Sequence, residues 1–233
     1  MTAIPLWAWV AAGFVLGAMA GSFLATIVIR WPRGGSVMRG RSACDSCGRT
    51  LTAVELVPIF SGLIQRGRCR NCGARIASEH LAIELGAAVI GAVAFGVAPG
   101  LAGAGWAIFG WLLLTLAALD ARHLWLPDPL TAPLAGLGLA LGGITTGAWP
   151  ADRLIGAVAG FASLWLIGAG YRAVRGREGL GLGDAKLLGG IGAWLGWQPL
   201  PFVLLAASTI GLIAVALAGG VARDRPLPFG AAL

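Results

Sequence analysis

Long apolar runs broken by short polar stretches dominate the chain. Runs near the roughly 20 residues that cross a hydrocarbon core fall at 5–29, 80–98, 101–120, 129–148, 153–171, 185–199 and 200–221, the sixth being the shortest. One long polar interruption, 30–78, separates the first run from the second. The pattern predicts an all-α polytopic membrane protein of about seven transmembrane helices. Its expected parts are a first helix at 1–29, a loop domain at 30–78 and a membrane core at 79–233.

Composition agrees: 58% of the residues are hydrophobic and 12% charged, against about 25% charged in soluble domains. The mean hydropathy is +0.83. Gly is abundant, at 38 residues, which suits close helix packing in lipid, and the 10 Trp suit membrane interfaces. The net charge of +7 matters through its placement. Arg30, Arg33, Arg39, Arg41, Arg49, Arg66, Arg68, Arg70 and Arg75 all lie between the first and second runs. Positively charged loops stay in the cytoplasm, which explains the cluster without a nucleic-acid surface. Alternation then brings Arg122, Arg172, Arg175, Arg177, Arg223 and Arg225 to the same side and leaves Arg153 on the other, with the N-terminus outside. The opening MTAIPLWAWV carries no Lys or Arg, and its apolar run continues past Ala18-Met19-Ala20 to Ile29. A retained helix is expected there rather than a cleaved signal peptide.

All four cysteines fall in the basic loop, as Cys44-x2-Cys47 and Cys69-x2-Cys72 with 21 residues between the pairs. Two CxxC pairs can supply four thiolates to one tetrahedral Zn²⁺, and Gly48 and Gly73 stand where each tight turn needs a permissive residue. Disulfides are disfavoured in a reducing cytoplasmic loop. A site closed by four thiolates has no open coordination position, so the metal would fold the loop rather than do chemistry.

Ionisable residues at the ends of membrane spans are costly and so are candidates for function. Asp120 closes the third run in LTLAALDARHLWLPDPLT and Asp184 opens the sixth in GLGLGDAKLL. The topology brings both to the cytoplasmic ends of helices although they are 64 positions apart. Two carboxylates sharing one proton divide the work of peptide hydrolysis, one taking a proton from water while the other polarises the carbonyl. Gly181 and Gly183 would let the backbone before Asp184 turn and approach a bound peptide. GLGLGD matches neither phosphate-loop spacing, GxxxxGK[ST] or GxGxxG. Asp128, between prolines in LPDPL, reads as a capped helix start. Lys186 is expected to snorkel or to pair with a carboxylate. Glu84 is open between a polar helix contact and part of a binding pocket, and His80 and His123 are too isolated to argue for metal or base chemistry.

Taken together, GSFLATIVIRWP, the two CxxC knuckles, LVPIFSGLIQRGRCRNCGARI, ALDARHLWLPDPLT and GLGLGDAKLLGGIGAWLGW resemble the type IV prepilin peptidases, membrane aspartic proteases of the GxGD type. The resemblance implies Asp120 and Asp184 as the catalytic pair and Cys44, Cys47, Cys69 and Cys72 as zinc ligands. It implies cleavage of the short basic leader of prepilins and type II secretion pseudopilins after a Gly, at the cytoplasmic face of a bacterial inner membrane. It also implies N-methylation of the new terminus with S-adenosylmethionine in many members. Ala25 stands where the family has Asn, and EHLAIE keeps only Glu84 of the segment that follows the knuckles. No S-adenosylmethionine signature is present, so no residue is assigned to that cofactor. The chain ends at PLPFGAAL, where family members commonly continue into another helix, which reads as C-terminal truncation. The basic loop does not complement a basic leader, which leaves anionic lipid or the acids at the membrane edge to attract it. Two other readings compete: a non-catalytic scaffold whose zinc loop docks a secretion or pilus partner, and an intramembrane protease of another substrate range.

Overall fold

The computed structural model describes residues 4–38, 41–44, 46–76, 78–177, 179–217 and 229–233. Arg39, Arg223 and Arg225, counted among the loop charges, lie outside the described residues. The helices are α1 (Leu6–Arg30), α2 (Phe60–Ile64), α3 (Ser78–Val97), α4 (Leu101–His123), α5 (Asp128–Thr146), α6 (Pro150–Arg175), α7 (Leu182–Leu195) and α8 (Leu200–Leu217). The chain forms two compact units, Met1–Thr115 and Leu116–Leu233.

In the first unit, α1 and α3 approach backbone to backbone. A Cβ on Gly13 would stand 2.3 Å from the Gly91 carbonyl oxygen, and one on Gly17 would stand 2.2 Å from that of Ala87. Small residues permit this closeness, and in lipid it is dispersion between such surfaces that holds helices together. Trp9 stacks on Phe95 at 5.9 Å, and Trp111 Nε1 donates to the Ala87 carbonyl at 2.9 Å.

In the second unit, α7 is the core. Its residues from Leu187 to Trp194 are all buried, and it packs against α5 and α6. On α6, a Cβ at Gly156 would lie 2.5 Å from the Gly192 carbonyl oxygen. On α5, Gly138 makes room for the indole of Trp194, whose Nε1 donates to the Leu134 carbonyl at 2.8 Å. Arg153, buried near the start of α6, donates to the Leu139 carbonyl on α5 at 2.8 Å.

Among the described residues, six helices are long and apolar enough to cross a membrane. The sixth predicted run behaves differently: α7 has 14 residues, about 21 Å of helix against a core of about 30 Å. Gly181 begins it in extended conformation and Gly196, at φ 84°, ends it. It is enclosed by protein, whereas α8 turns Phe202, Leu205, Leu212 and Leu217 outward as a lipid-contacting helix does. Gly196 lies beside Ala148 and Asp152, so the C-terminal end of α7 meets the α5–α6 turn.

Candidate active site

Asp120 sits in the last turn of α4 and Asp184 in the first turn of α7, and both are buried. Their meeting is visible at Gly230. A Cβ there would stand 3.0 Å from Asp120 Oδ2 and 3.0 Å from Asp184 Oδ1, so the two oxygens are no farther apart than twice that distance. Asp184 is the third residue of α7, and its carboxylate lies over Gly181, the residue before the helix, where a Cβ would stand 3.4 Å from Oδ2. The third position of a helix is the one from which a carboxylate reaches back over the helix start. Asp120 Oδ2 accepts the Ala231 N–H at 2.8 Å.

The surrounding glycines act differently from expectation. The backbone is extended only as far as Gly181; Gly183 is already helical, and a Cβ on it would stand 2.9 Å from Leu126 Cβ. Gly183 therefore gives room to Leu126. Gly179 is pressed on the Tyr171 ring, where a Cβ would approach Cδ1 to 2.4 Å.

Asp128 opens α5, but its side chain makes no cap hydrogen bond. It binds Lys186 instead, Nζ to Oδ1 at 2.5 Å, tying the start of α5 to the start of α7. An acid in the first turn of a helix remains favourable through the helix dipole without a cap bond. Leu126, Gly230 and Ala231 were not anticipated as site residues. The signal for the last two was present in the turn-rich PLPFG, where Gly follows an aromatic.

The first unit holds two further polar centres. Glu84 is buried on α3, accepts the Ile59 N–H at 2.8 Å and lies 3.3 Å from His80 Nε2. Ile59 has φ 64° and ψ −54°, a strained conformation for a β-branched residue that persists only where its surroundings over-determine it. Glu84 is thus a polar contact that clamps the loop to α3.

Sulfurs of Cys44, Cys47, Cys69 and Cys72 lie within 4.8 Å of one another, and those of Cys44 and Cys72 are 3.8 Å apart. Two thiolates at tetrahedral Zn–S bond lengths are also separated by about 3.8 Å. The two knuckles are built alike. Gly48 and Gly73, at φ 69° and 70°, return their N–H groups to the carbonyls of Cys44 and Cys69 at 2.9 Å. The N–H groups of Cys72 and Asn71 hold the Cys69 thiol pKa down at about 6. The N–H of Arg49 and the Asn71 amide lower that of Cys47. Cys72 receives the Ala74 N–H, yet burial and the neighbouring sulfurs push its thiol up to about 11. Four thiolates coexist there only with a cation to replace the protons.

The family described as "Bacterial Peptidase A24 N-terminal domain" matches residues 15–97, which include the cysteines and Glu84. The "Type IV leader peptidase family" matches residues 107–216, which include Asp120 and Asp184. The chain is similar to the "Prepilin leader peptidase/N-methyltransferase" of Aeromonas hydrophila, 40% identical over 202 residues that cover 84% of this chain and 69% of that protein. It is similar to the protein of the same name from Burkholderia pseudomallei strain 1026b, at 38% over 259 residues, 98% of this chain and 83% of that one. The Neisseria gonorrhoeae protein of that name is 36% identical over 249 residues, 94% and 85% of the two chains. No solved structure matches. With its helices, its paired carboxylates and its relatives in agreement, the chain belongs to the type IV leader peptidase family.

Proposed function

We propose that the protein removes the basic leader of type IV prepilins and type II secretion pseudopilins, with Asp120 and Asp184 as the catalytic pair. The observation that carries this reading is the convergence of two buried carboxylates from the ends of separate helices around Gly230. Burial and like charge favour one shared proton over two free charges. A water held by the ionised carboxylate gives it a proton as the oxygen attacks the carbonyl carbon. The protonated partner donates to the carbonyl oxygen, and the tetrahedral intermediate collapses as a proton reaches the departing nitrogen. Leu126 lines this site with apolar surface, and Lys186 holds Asp128 beside it.

Cys44, Cys47, Cys69 and Cys72 would hold one structural Zn²⁺, which closes the loop and supplies no reaction step. The arginine placement supports an inner-membrane protein with the loop and the dyad on the cytoplasmic side. N-methylation of the new terminus with S-adenosylmethionine is a second activity, supported by the names of the relatives. No residue here is assigned to it. Membership of a peptidase family disfavours a scaffold without catalysis.

Leader removal from a co-expressed prepilin tests the dyad. Asp120→Asn and Asp184→Asn are each expected to lower processing by about 10²–10⁴-fold, the usual weight of a general acid or base. Wild-type processing by either variant would sink the assignment.

A further inference from the structure

The turn Phe229–Leu233 lies outside every helix and every motif, yet it touches both carboxylates. Inside it, the N–H groups of Ala232 and Leu233 both go to the Phe229 carbonyl, at 3.0 and 3.2 Å. Those of Gly230 and Ala231 are directed at the acids instead. The Ala231 N–H donates to Asp120 Oδ2 at 2.8 Å, and the Gly230 N–H lies near both carboxylates. Gly230 is buried, and a Cβ on it would meet Leu126 Cδ1 at 2.8 Å and one oxygen of each acid at 3.0 Å. A side chain there would push the Leu126 side chain and both carboxylates out of place.

We propose that this turn is a working part of the catalytic centre. The N–H groups of Gly230 and Ala231 orient the two carboxylates, and the bare α-carbon of Gly230 is what lets the backbone reach both. This rests on the reading of Asp120 and Asp184 as the catalytic pair. Hydrogen bonds from N–H groups to carboxylates are among the stronger ones and are directional. Two acids that repel each other gain most from such fixed donors, because without them the side chains rotate apart. A site held in place before substrate arrives spares the reaction that reorganisation. Gly230 and Ala231 are therefore positioning residues, acting through the acids.

If the turn merely packed against the second unit, its substitutions would change stability and leave kcat alone. The test measures kcat and KM of the purified full chain on a purified type IV prepilin. Ala231→Ser, which keeps the N–H, is compared with Ala231→Pro, which lacks it. The proline variant is expected to have a kcat about tenfold or more below the serine variant, with KM similar in both. Gly230→Ala is expected to lose kcat by at least as much, with its thermal unfolding midpoint little moved.

Equal kcat in the two Ala231 variants, together with wild-type kcat in Gly230→Ala, overturns the proposal and leaves the dyad standing if Asp120→Asn is inactive. Active Asp120→Asn and Asp184→Asn would instead bring down the dyad reading itself. Should the proline and alanine variants fail to fold, Asp120→Cys with Ala231→Cys decides the point. A thiol cross-linker of short reach should join them in the membrane, and failure to join them overturns the placement of the turn.

Discussion

Glu84 shows how a single residue can hold a loop. It is a buried carboxylate on a largely apolar helix, with a backbone N–H and an imidazole as its partners. Replacing it by Ala leaves the Ile59 N–H without that acceptor and releases the strained turn. Glu84→Ala is expected to speed proteolytic nicking between residues 46 and 76, read on a gel, and to leave the helices intact. Glu84→Gln, which still offers an oxygen, should be affected less. Sequence alone left Glu84 open between contact and pocket, because nothing in the local string says that Ile59 is its neighbour 25 positions away. Lys186 is a similar case: pairing was foreseen, but the partner Asp128 emerged only with the packing of α5 beside α7.

Among the elements, the two knuckles were legible and the helix contacts were not. Cys-x2-Cys-Gly encodes its own turn, so one such pair predicts the other's geometry. The purified protein is expected to carry about one zinc per chain, and Cys44→Ser to lose it, by metal analysis. Between the knuckles, Glu55 accepts the N–H and the hydroxyl of Thr52, both at 2.9 Å, and pairs with Arg49. The Thr52 N–H, followed by the hydroxyl and the guanidinium, holds its pKa below the ordinary carboxylate value. A carboxylate depressed on folding stabilises above its unfolded pKa, and that contribution is lost as pH falls through the folded one. Glu55→Gln should therefore unfold at a lower temperature than wild type at pH 7, and the gap should close as the solution is acidified through that depressed pKa. Thermal unfolding followed by Trp fluorescence checks it. On the α6–α7 face, Gly156→Val would drive a branched side chain into the backbone of Gly192, where even a Cβ stands 2.5 Å from the carbonyl oxygen. Overpacking of this kind costs about 1–3 kcal/mol where neighbours can yield, and more against backbone that cannot. Loss of folded protein, seen by size-exclusion chromatography in detergent, is the expected result.

Across the whole molecule, charge and hydropathy carry the argument. Arg30, Arg33, Arg49, Arg66, Arg68, Arg70 and Arg75 belong to the unit that holds the cysteines, and Arg122, Arg172, Arg175 and Arg177 to the unit that holds the dyad. If these stretches are cytoplasmic, periplasm-dependent reporters fused after Gly147 should be active and those fused after Gly176 inactive. The reverse pattern would invert the proposed orientation.

Length and hydropathy were enough to reveal the helices, since a span must be apolar and about 20 residues long whatever surrounds it. The knuckles and the two acids were also readable, being chemistry set by residue type and spacing. Tertiary structure decided what lies beside what. It made α7 an enclosed core helix instead of a lipid-facing span, assigned Gly183 to Leu126, and brought Gly230 and Ala231 to Asp120 and Asp184. Those outcomes rest on glycines where even a Cβ would stand within about 3 Å of residues far apart in the chain. Glycines and apolar side chains carry no charge or spacing code that names a distant partner, so only packing could choose among them.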